Sequence, residues 1–380
     1  MVAVLAVGCS GAGQTPGARP ATPSNPAPAS EPEPEQASEP QVRTPFGEIM
    51  GIAWSPDGAH IAAVDLELSA RVWDATTGEL RGAMSRSELR GGAPVSVGFD
   101  DTGNEVRAGA TRWRFADNQQ TPLLIASGLS SDWRITLRAV DDAIDVVDTE
   151  TGQPVHRLDD IAPNGAELHT STADGPIVVC GSDELTIAAA TGSVRGRVAV
   201  PSGQRWERFG CSVSPQGAYA AAATNAGEFV LIDAATATIV GSLGTHTAED
   251  ANRFTRFSDD GQRVVVFQDF VVREEPTLHV EVFEVPSRRQ LASVDAGRAF
   301  PALVSLTRDA SRLAAPGLEG GVEVYDVASG RRLATIETEM RGQRHVALSP
   351  TGDQVAVGAG KRVSVFVIES GERVAQWTVE

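Results

Sequence analysis

Short runs in which apolar and polar residues alternate fill most of the chain, and glycine and proline interrupt them at close intervals. Many runs are rich in β-branched and aromatic residues, as in Val363-Ser-Val-Phe-Val-Ile368, and such residues favour strands. Helical periodicity is almost absent from Gly47 onward. The pattern predicts an all-β fold of short strands joined by tight turns.

One strand–turn–strand unit recurs along the chain. Its best-preserved turn is Ser55-Pro-Asp-Gly58, with proline and glycine placed as a type I turn requires. The counterparts are Asp100–Gly103, Thr172–Gly175, Ser214–Gly217, Ser258–Gly261, Thr307–Ala310 and Ser349–Gly352. A second turn ends in Gly78, Gly152, Gly192, Gly330 and Gly371. The unit therefore repeats throughout the globular part of the chain.

The repeat period predicts the architecture. Most first turns lie 42 to 49 residues apart, and a gap of 72 between Gly103 and Gly175 contains one shortened unit. Four strands per period of this length are typical of a β-propeller. We predict a single propeller of four-stranded antiparallel blades over residues 45–380, with eight blades, or seven if the third unit is not a full blade. The units are in phase, so no strand exchange closes the ring unless residues 42–47 supply it.

Two motifs carry a family resemblance. Ile52-Ala-Trp-Ser-Pro-Asp-Gly58 and Val72-Trp-Asp-Ala-Thr-Thr-Gly78 resemble the WD40 repeat, and the resemblance covers residues 47–380. The Trp73-Asp74 dipeptide occurs once, and the Gly-His pair that opens a WD40 unit is absent. Bacterial quinoprotein-like and YVTN-type propellers are looser relatives. The resemblance implies a ring that serves as a recognition surface.

The N-terminus has a different character. Residues 1–9 form a short apolar run that ends in Gly8-Cys9 and resembles a bacterial lipoprotein signal, in which the cysteine is lipidated. The basic segment that usually opens such a signal is missing, and a translation start upstream of Met1 would explain this. Residues 10–44 are rich in proline, alanine and glutamate, and this composition predicts a disordered tether.

Charge and cysteine content narrow the partners. The formal net charge of −18 argues against nucleic-acid binding and against adsorption to anionic lipid, so a membrane is reached only through the anchor at Cys9. Cys180 and Cys211 lie in apolar strand-like runs. We expect both as buried thiols, with a disulfide between them as the alternative in an oxidising compartment.

Catalytic motifs are missing from the sequence. It holds no G-x-S-x-G, H-E-x-x-H or P-loop pattern in its globular part, and the docking tryptophan of PQQ-dependent propellers is absent. We therefore predict no catalytic residues, no metal and no cofactor. A propeller hydrolase of the lactonase type stays open as an alternative, and only Glu167, His169 and His345 approach its ligand set.

Several basic residues stand where the chain enters the first strand of a unit. The predicted binding residues are Arg208, Arg253, Arg256, Arg344 and His345, joined by Phe270 and Arg273 from a long loop in the sixth unit. In an acidic protein, arginines that converge at a channel mouth would attract an anionic group. The alternative is that each pairs with a nearby acid such as Glu207.

The sequence thus predicts a non-catalytic envelope lipoprotein, at the outer membrane or facing the periplasm. Its monomeric ring would bind a protein partner or an anionic envelope ligand. In architecture it also resembles the eight-bladed lipoprotein of the outer-membrane barrel-assembly machinery, which stays open as an alternative function.

Overall fold

The β-branched and aromatic runs form strands in a computed structural model. It describes residues 46–85, 96–159, 161, 166–207, 210–245, 251–270, 278–296, 304–317, 321–338 and 345–379. These residues form eight antiparallel sheets, each made of four consecutive strands. None of them belongs to a helix that is long and apolar enough to cross a membrane. Cys9 and the predicted tether at 10–44 lie outside the described residues.

The strands are numbered in chain order, four to a blade. Blades 1 and 2 comprise β1 Ile49–Trp54, β2 His60–Asp65, β3 Ala70–Asp74, β4 Leu80–Met84, β5 Val97–Phe99, β6 Glu105–Ala108, β7 Thr111–Arg114 and β8 Gln119–Pro122. Blades 3 and 4 comprise β9 Ser127–Leu129, β10 Ile135–Val140, β11 Ala143–Asp148, β12 Pro154–Leu158, β13 Glu167–Thr170, β14 Ile177–Cys180, β15 Glu184–Ala188 and β16 Val194–Ala199.

The second half continues in the same way. Blades 5 and 6 comprise β17 Ser212–Val213, β18 Tyr219–Ala223, β19 Glu228–Asp233, β20 Thr238–Thr245, β21 Ala251–Phe257, β22 Arg263–Phe270, β23 Leu278–Glu284 and β24 Gln290–Ala296. Blades 7 and 8 comprise β25 Ser305–Leu306, β26 Arg312–Pro316, β27 Val322–Asp326, β28 Arg332–Ile336, β29 His345–Leu348, β30 Gln354–Ala359, β31 Arg362–Val367 and β32 Arg373–Thr378.

The ring has eight blades, as predicted, and the seven-blade alternative is wrong. The shortened third unit is a full blade, β9–β12. Its first turn, Ser130–Trp133, escapes the sequence pattern because Trp133 stands where six of the other seven first turns have glycine. Trp133 has a φ of 58° and donates its amide to Ser130 O at 3.0 Å, as Gly58 does to Ser55 O at 2.9 Å.

The first strand of each blade is the innermost. At six junctions the first strands of neighbouring blades contact one another, and these include β1 with β29, so the first and last blades meet. The end of the ring that carries turns such as Ser55–Gly58 and Thr76–Gly78 is called the turn rim. The opposite end, with the hairpins between second and third strands and the blade-to-blade connections, is called the loop rim.

Apolar clusters fill the junctions between blades. Successive residues of β2 alternate, with Ile61 and Ala63 facing blade 8 and Ala62 and Val64 facing blade 2. This alternation follows from the period of two along a strand. Strand β2 is thus buried on both faces.

Side chains stabilise the first turn of blade 1. Ser55 Oγ accepts the amide of His60 at 2.8 Å and donates to Asp57 Oδ1 at 2.6 Å. The Ser55 hydroxyl holds the pKa of Asp57 below its usual value, with help from the amide of Ala59. The Ser-Pro-Asp-Gly sequence is therefore explained by turn geometry alone.

The outer strand of seven blades carries a β-bulge at a fixed position. The second turn of each of these blades contains a residue with positive φ. The residue three positions later, on the outer strand, has no β-pairing partner on the third strand. The unpaired residues are Arg81, Val155, Arg195, Val240, Leu291, Leu333 and Val374. The positive-φ residue of the second turn is Asn118 in blade 2, Ala237 in blade 5 and Arg288 in blade 6. A search for glycine at this position therefore missed these three turns.

Blades 8 and 1 pack against each other to close the ring, and no described strand is exchanged between them. Phe46 and Val379, at opposite ends of the described chain, are buried in one apolar cluster with Trp73. Ile49 N donates to Gly360 O at 2.7 Å across the junction. Of the predicted segment 42–47, residues 42–45 lie outside the described residues, and Phe46 contributes a buried side chain to this junction.

The cysteines are buried, as expected, but they are not separate thiols. Cys180 on β14 and Cys211 before β17 form a disulfide, with Cα atoms 6.6 Å apart. The expectation of free thiols is wrong, because the apolar junction of blades 4 and 5 brings both side chains together. The bond joins these two blades covalently.

Substitution by alanine should lower the stability of the protein at Gly78 and leave it almost unchanged at Gly98. Gly78 has a φ of 71°, and a Cβ there would lie 3.1 Å from Trp377 Cε3. We expect Gly78→Ala to lower the free energy of unfolding by about 1–2 kcal/mol. Gly98→Ala is the control, because a Cβ there meets no atom within 4 Å. Urea unfolding measures both, and equal effects would contradict the strain at Gly78.

Candidate binding site at the turn rim

Arg253 and Arg256, grouped together by the sequence, point to different junctions. Arg253 is 5% exposed, and its Nη1 donates to Glu207 Oε1 at 3.0 Å and to Ala251 O at 3.2 Å. This is the pairing that the sequence left open as the alternative. Arg256 is exposed and lines a cavity on the other face of β21.

The remaining predicted binding residues do not form a described cluster. His345 is 8% exposed on β29, and its Nε2 has no hydrogen-bond partner. Burial lowers the pKa of its imidazole. Arg208, Arg344 and Arg273 lie outside the described residues, and only the backbone of Phe270 is described, at the end of β22. Ligand binding at this end of the ring stays a prediction.

The histidines considered for a metal belong to different blades. His169 Nε2 lies 3.2 Å from Glu167 Oε2 on β13 of blade 4, whereas His345 belongs to blade 8. Within the described part of the chain, no three His, Cys, Asp or Glu side chains come together in a group that could hold a metal ion.

A cavity of about 440 Å³ opens at the turn rim, on the axis of the ring. Five blades contribute to it through β1, β5, β21, β25 and β29. Its walls include the side chains of Ile52, Phe99, Leu306 and Leu348. Apolar side chains thus form part of the lining, and polar groups make up most of its open surface. This turn-rim cavity has the size of a site for a small molecule or a few residues of a peptide.

Four charged side chains lie at the mouth of the turn-rim cavity, those of Asp101, Arg256, Asp259 and Arg308. Arg308 on blade 7 lies 3.6 Å from Asp259 on blade 6 and 3.6 Å from Asp101 on blade 2. These distances exceed the 2.7–2.9 Å typical of charge-assisted hydrogen bonds. The solvent-exposed fractions of the side chains are 51% for Arg308, 54% for Asp259 and 95% for Asp101. Such loose, exposed pairs can be exchanged for the charges of a ligand at small cost.

The neighbouring charges act on Asp259 in opposite directions. Desolvation by the surrounding protein raises the pKa of its carboxyl, although about half of the side chain is open to solvent. Arg256 and Arg308 lower this pKa, and Asp101 raises it. Asp259 N also donates to Arg308 O at 2.8 Å, so the backbone of blades 6 and 7 fixes the relative position of these groups.

Side chains cap some of the open backbone edges along the axis. Trp54 Nε1 donates to Ala347 O at 2.9 Å, and Leu348 N donates to Ser305 Oγ at 2.9 Å. Both bonds join neighbouring first strands, and both lie in the wall of the cavity. Hydrogen bonds between neighbouring first strands therefore fix the wall of the cavity.

Gly98 leaves open space in the same wall. It lines the cavity, and a Cβ built on it would meet no atom within 4 Å. A larger side chain at this position can fill the cavity without displacing its neighbours, so Gly98 offers a way to block it.

Sequence reasoning missed this cavity for a definable reason. Asp101, Asp259 and Arg308 each occupy a first turn, and acidic doublets at turns are well explained by local hydrogen bonding. What brings them together is the closure of the ring, which a local pattern does not reveal. The signal that could have found them is their equivalent position, two residues after the end of a first strand.

Solved structures of low sequence identity share the architecture. The chain is similar to the C-terminal WD40 domain of Sif2, with 12% identity, a TM-score of 0.59, and coverage of 85% of this chain and 96% of that one. The fold is a WD40-like β-propeller. A further match is the β-propeller domain of Myceliophteria thermophila Cps50 (Swd1), with 13% identity, a TM-score of 0.47, and coverage of 89% and 98%.

Comparisons of the sequence found no match. No protein-family model matches it, and no curated protein matches it. The structural likeness establishes the fold, which many unrelated functions share. Function must therefore be argued from the site.

Removing Arg308 should raise the pKa of Asp259 further. Arg308→Ala takes away a positive charge that stabilises the carboxylate, and Asp101→Asn takes away a negative charge that destabilises it. We expect the pKa to rise in the first variant and to fall in the second, as measured by NMR titration of the Asp259 side-chain carboxyl carbon. The described mouth geometry would be contradicted if neither variant moved the titration.

Proposed function

We propose that this chain is a non-catalytic protein of the bacterial cell envelope, anchored by a lipid on Cys9, whose propeller binds a segment of a protein partner in the turn-rim cavity. The observation that carries the proposal is the cavity itself. It combines a wall from five blades with a mouth of loosely paired charges.

The chemistry of the cavity favours a protein segment over a simple anion. Its walls offer apolar surface from Phe99 and Leu306, and its mouth offers both signs of charge through Arg308, Asp259 and Asp101. A peptide segment can bury an apolar side chain inside and match both charges outside. A purely anionic envelope ligand would leave the two carboxylates opposed to it.

Two features support the envelope location. A disulfide such as Cys180–Cys211 forms and persists in oxidising compartments. The Gly8-Cys9-Ser10 sequence, followed by a proline-rich segment, is the arrangement expected of a tethered lipoprotein. Together they favour a position on the oxidising side of a membrane.

Blocking or recharging the cavity should abolish partner capture. We expect a photo-crosslinker at Asp101 to form adducts with a protein in intact envelopes. We expect Gly98→Leu, which fills the cavity, and Arg308→Glu, which reverses the charge at its mouth, each to reduce these adducts by about tenfold. Mass spectrometry of the adducts identifies the partner.

A crosslinker at Asp142, an exposed loop-rim residue of blade 3, is the control. Adducts from Asp142 alone would move the binding surface to the loop rim. Adducts from Asp101 that survive both Gly98→Leu and Arg308→Glu would also contradict binding in the cavity.

Replacement of Cys9 should release the protein from membranes. In the native host, Cys9→Ala removes the thiol to which a lipid would be attached, so we expect loss of incorporated radiolabelled fatty acid and a shift to the soluble fraction. Cys180→Ala/Cys211→Ala keeps Cys9 and should keep the label. Retention of the fatty acid by Cys9→Ala would overturn the anchor.

A further inference from the structure

The outer strand of each blade leaves one backbone edge without a partner strand. Proteins protect such edges with charged residues or proline, because an open edge can pair with another chain. Seven outer strands follow this rule: β4 contains Arg81, β8 Pro122, β12 Pro154 and Arg157, β16 Arg195 and Arg197, β24 Asp295, β28 Arg332, and β32 Arg373. These seven edges are protected in the same way.

The outer strand of blade 5 departs from this rule. β20, Thr238-Ile-Val-Gly-Ser-Leu-Gly-Thr245, is eight residues long, has no charge and no proline, and is the longest of the eight outer strands. Ile239 and Val240 on it are 43% and 37% exposed. Six other outer strands share the bulge at Val240, so that bulge does not explain the difference. β20 also has a second bulge at Leu243, so a partner strand would have to follow an edge that is bulged twice.

A cation lies beside this uncharged edge. Arg288, in the turn of blade 6, packs over Gly241, where a Cβ would lie 2.1 Å from its Nη1. The same Nη1 donates to Ser242 O at 3.4 Å, a long bond to a neutral acceptor. Among the described side chains, no carboxylate forms an ion pair with Arg288. The guanidinium is thus available to an acid on a strand placed next to β20.

We propose that the edge of β20 pairs with an extended strand of a protein partner, which is uncharged along the paired residues and carries one carboxylate that meets Arg288. The proposal rests on the protein-binding function proposed above and assigns a second surface to it. It concerns the periphery of the ring rather than the axis.

The chemistry of the edge determines the kind of occupant. A strand edge presents amide N–H and C=O groups at the spacing of another strand, so an extended backbone satisfies them. Charged side chains opposite Ile239 or Val240 would lose water without finding an opposite charge. A second copy of this chain, pairing through its own β20, would bring no carboxylate to Arg288. The charge pattern therefore favours a different protein.

Equivalent positions on two blades provide a matched pair of variants. Val240 and Val374 occupy the same bulge position, on β20 and β32, and they are 37% and 50% exposed. Val240→Lys places a charge on the unprotected edge, and Val374→Lys places the same charge on an edge that already carries Arg373. Both side chains reach solvent, so both variants should fold.

Synthetic peptides serve as probes. One is the acetylated and amidated octapeptide Thr-Val-Thr-Glu-Val-Thr-Val-Thr, and the other has lysine in place of glutamate. We expect the wild-type protein to bind the glutamate peptide, with binding weakened at least about tenfold by Val240→Lys and by less than about twofold by Val374→Lys. We expect the lysine peptide to bind the wild type more weakly, and Arg288→Ala to remove this difference between the peptides.

Fluorescence anisotropy measures the affinities, and analytical ultracentrifugation measures the oligomeric state. Equal binding by the Val240→Lys and Val374→Lys variants, or no binding by the wild type, would overturn the proposal. A concentration-dependent dimer that Val240→Lys abolishes would also overturn it, since the occupant would then be a second copy. The peptides do not depend on the turn-rim cavity, so failure of the Gly98→Leu and Arg308→Glu experiments leaves this test intact.

Discussion

Burial of apolar side chains between neighbouring blades is the interaction on which this structure depends. A four-stranded sheet that is apolar on both faces is stable only with a neighbour on each side. Blades 1 and 8 meet this requirement only by packing against one another, which they do around Phe46, Trp73 and Val379. Among the strands that the structure describes, none is exchanged between blades, and the closing junction contains side-chain packing and hydrogen bonds such as Ile49 N to Gly360 O. The geometry of the axial cavity, to which both blades contribute, follows from this closure.

The repeat could be predicted because its determinants are local. Ser55 and Gly58 shape a turn through contacts within six residues, and such contacts leave a readable pattern in the sequence. The same reasoning failed where another residue adopts the glycine conformation. Trp133, Asn118, Ala237 and Arg288 all have positive φ, because the surrounding strands hold the backbone there at a cost that the fold as a whole offsets. Eight blades were still recoverable, since the period survives the loss of single turns.

Site residues were harder to predict because their surroundings are set by distant parts of the chain. Arg253 and Arg256 are three residues apart, so they point to opposite faces of β21. One meets Glu207 in blade 5, and the other faces the axis. The mouth of the turn-rim cavity likewise joins Asp101 to Arg308 across more than two hundred residues. Sequence patterns can give the blade and strand of each residue, but not the partner that ring closure brings to it.

The position of the disulfide has a mechanical consequence. Cys180–Cys211 joins blades 4 and 5, and in a ring of eight this junction lies directly opposite the one between blades 8 and 1. These two junctions divide the ring into two arms of four blades each. One junction is covalent, and the other consists of side-chain packing and hydrogen bonds. A protease that cuts the backbone anywhere between the two cysteines still leaves both arms in one molecule.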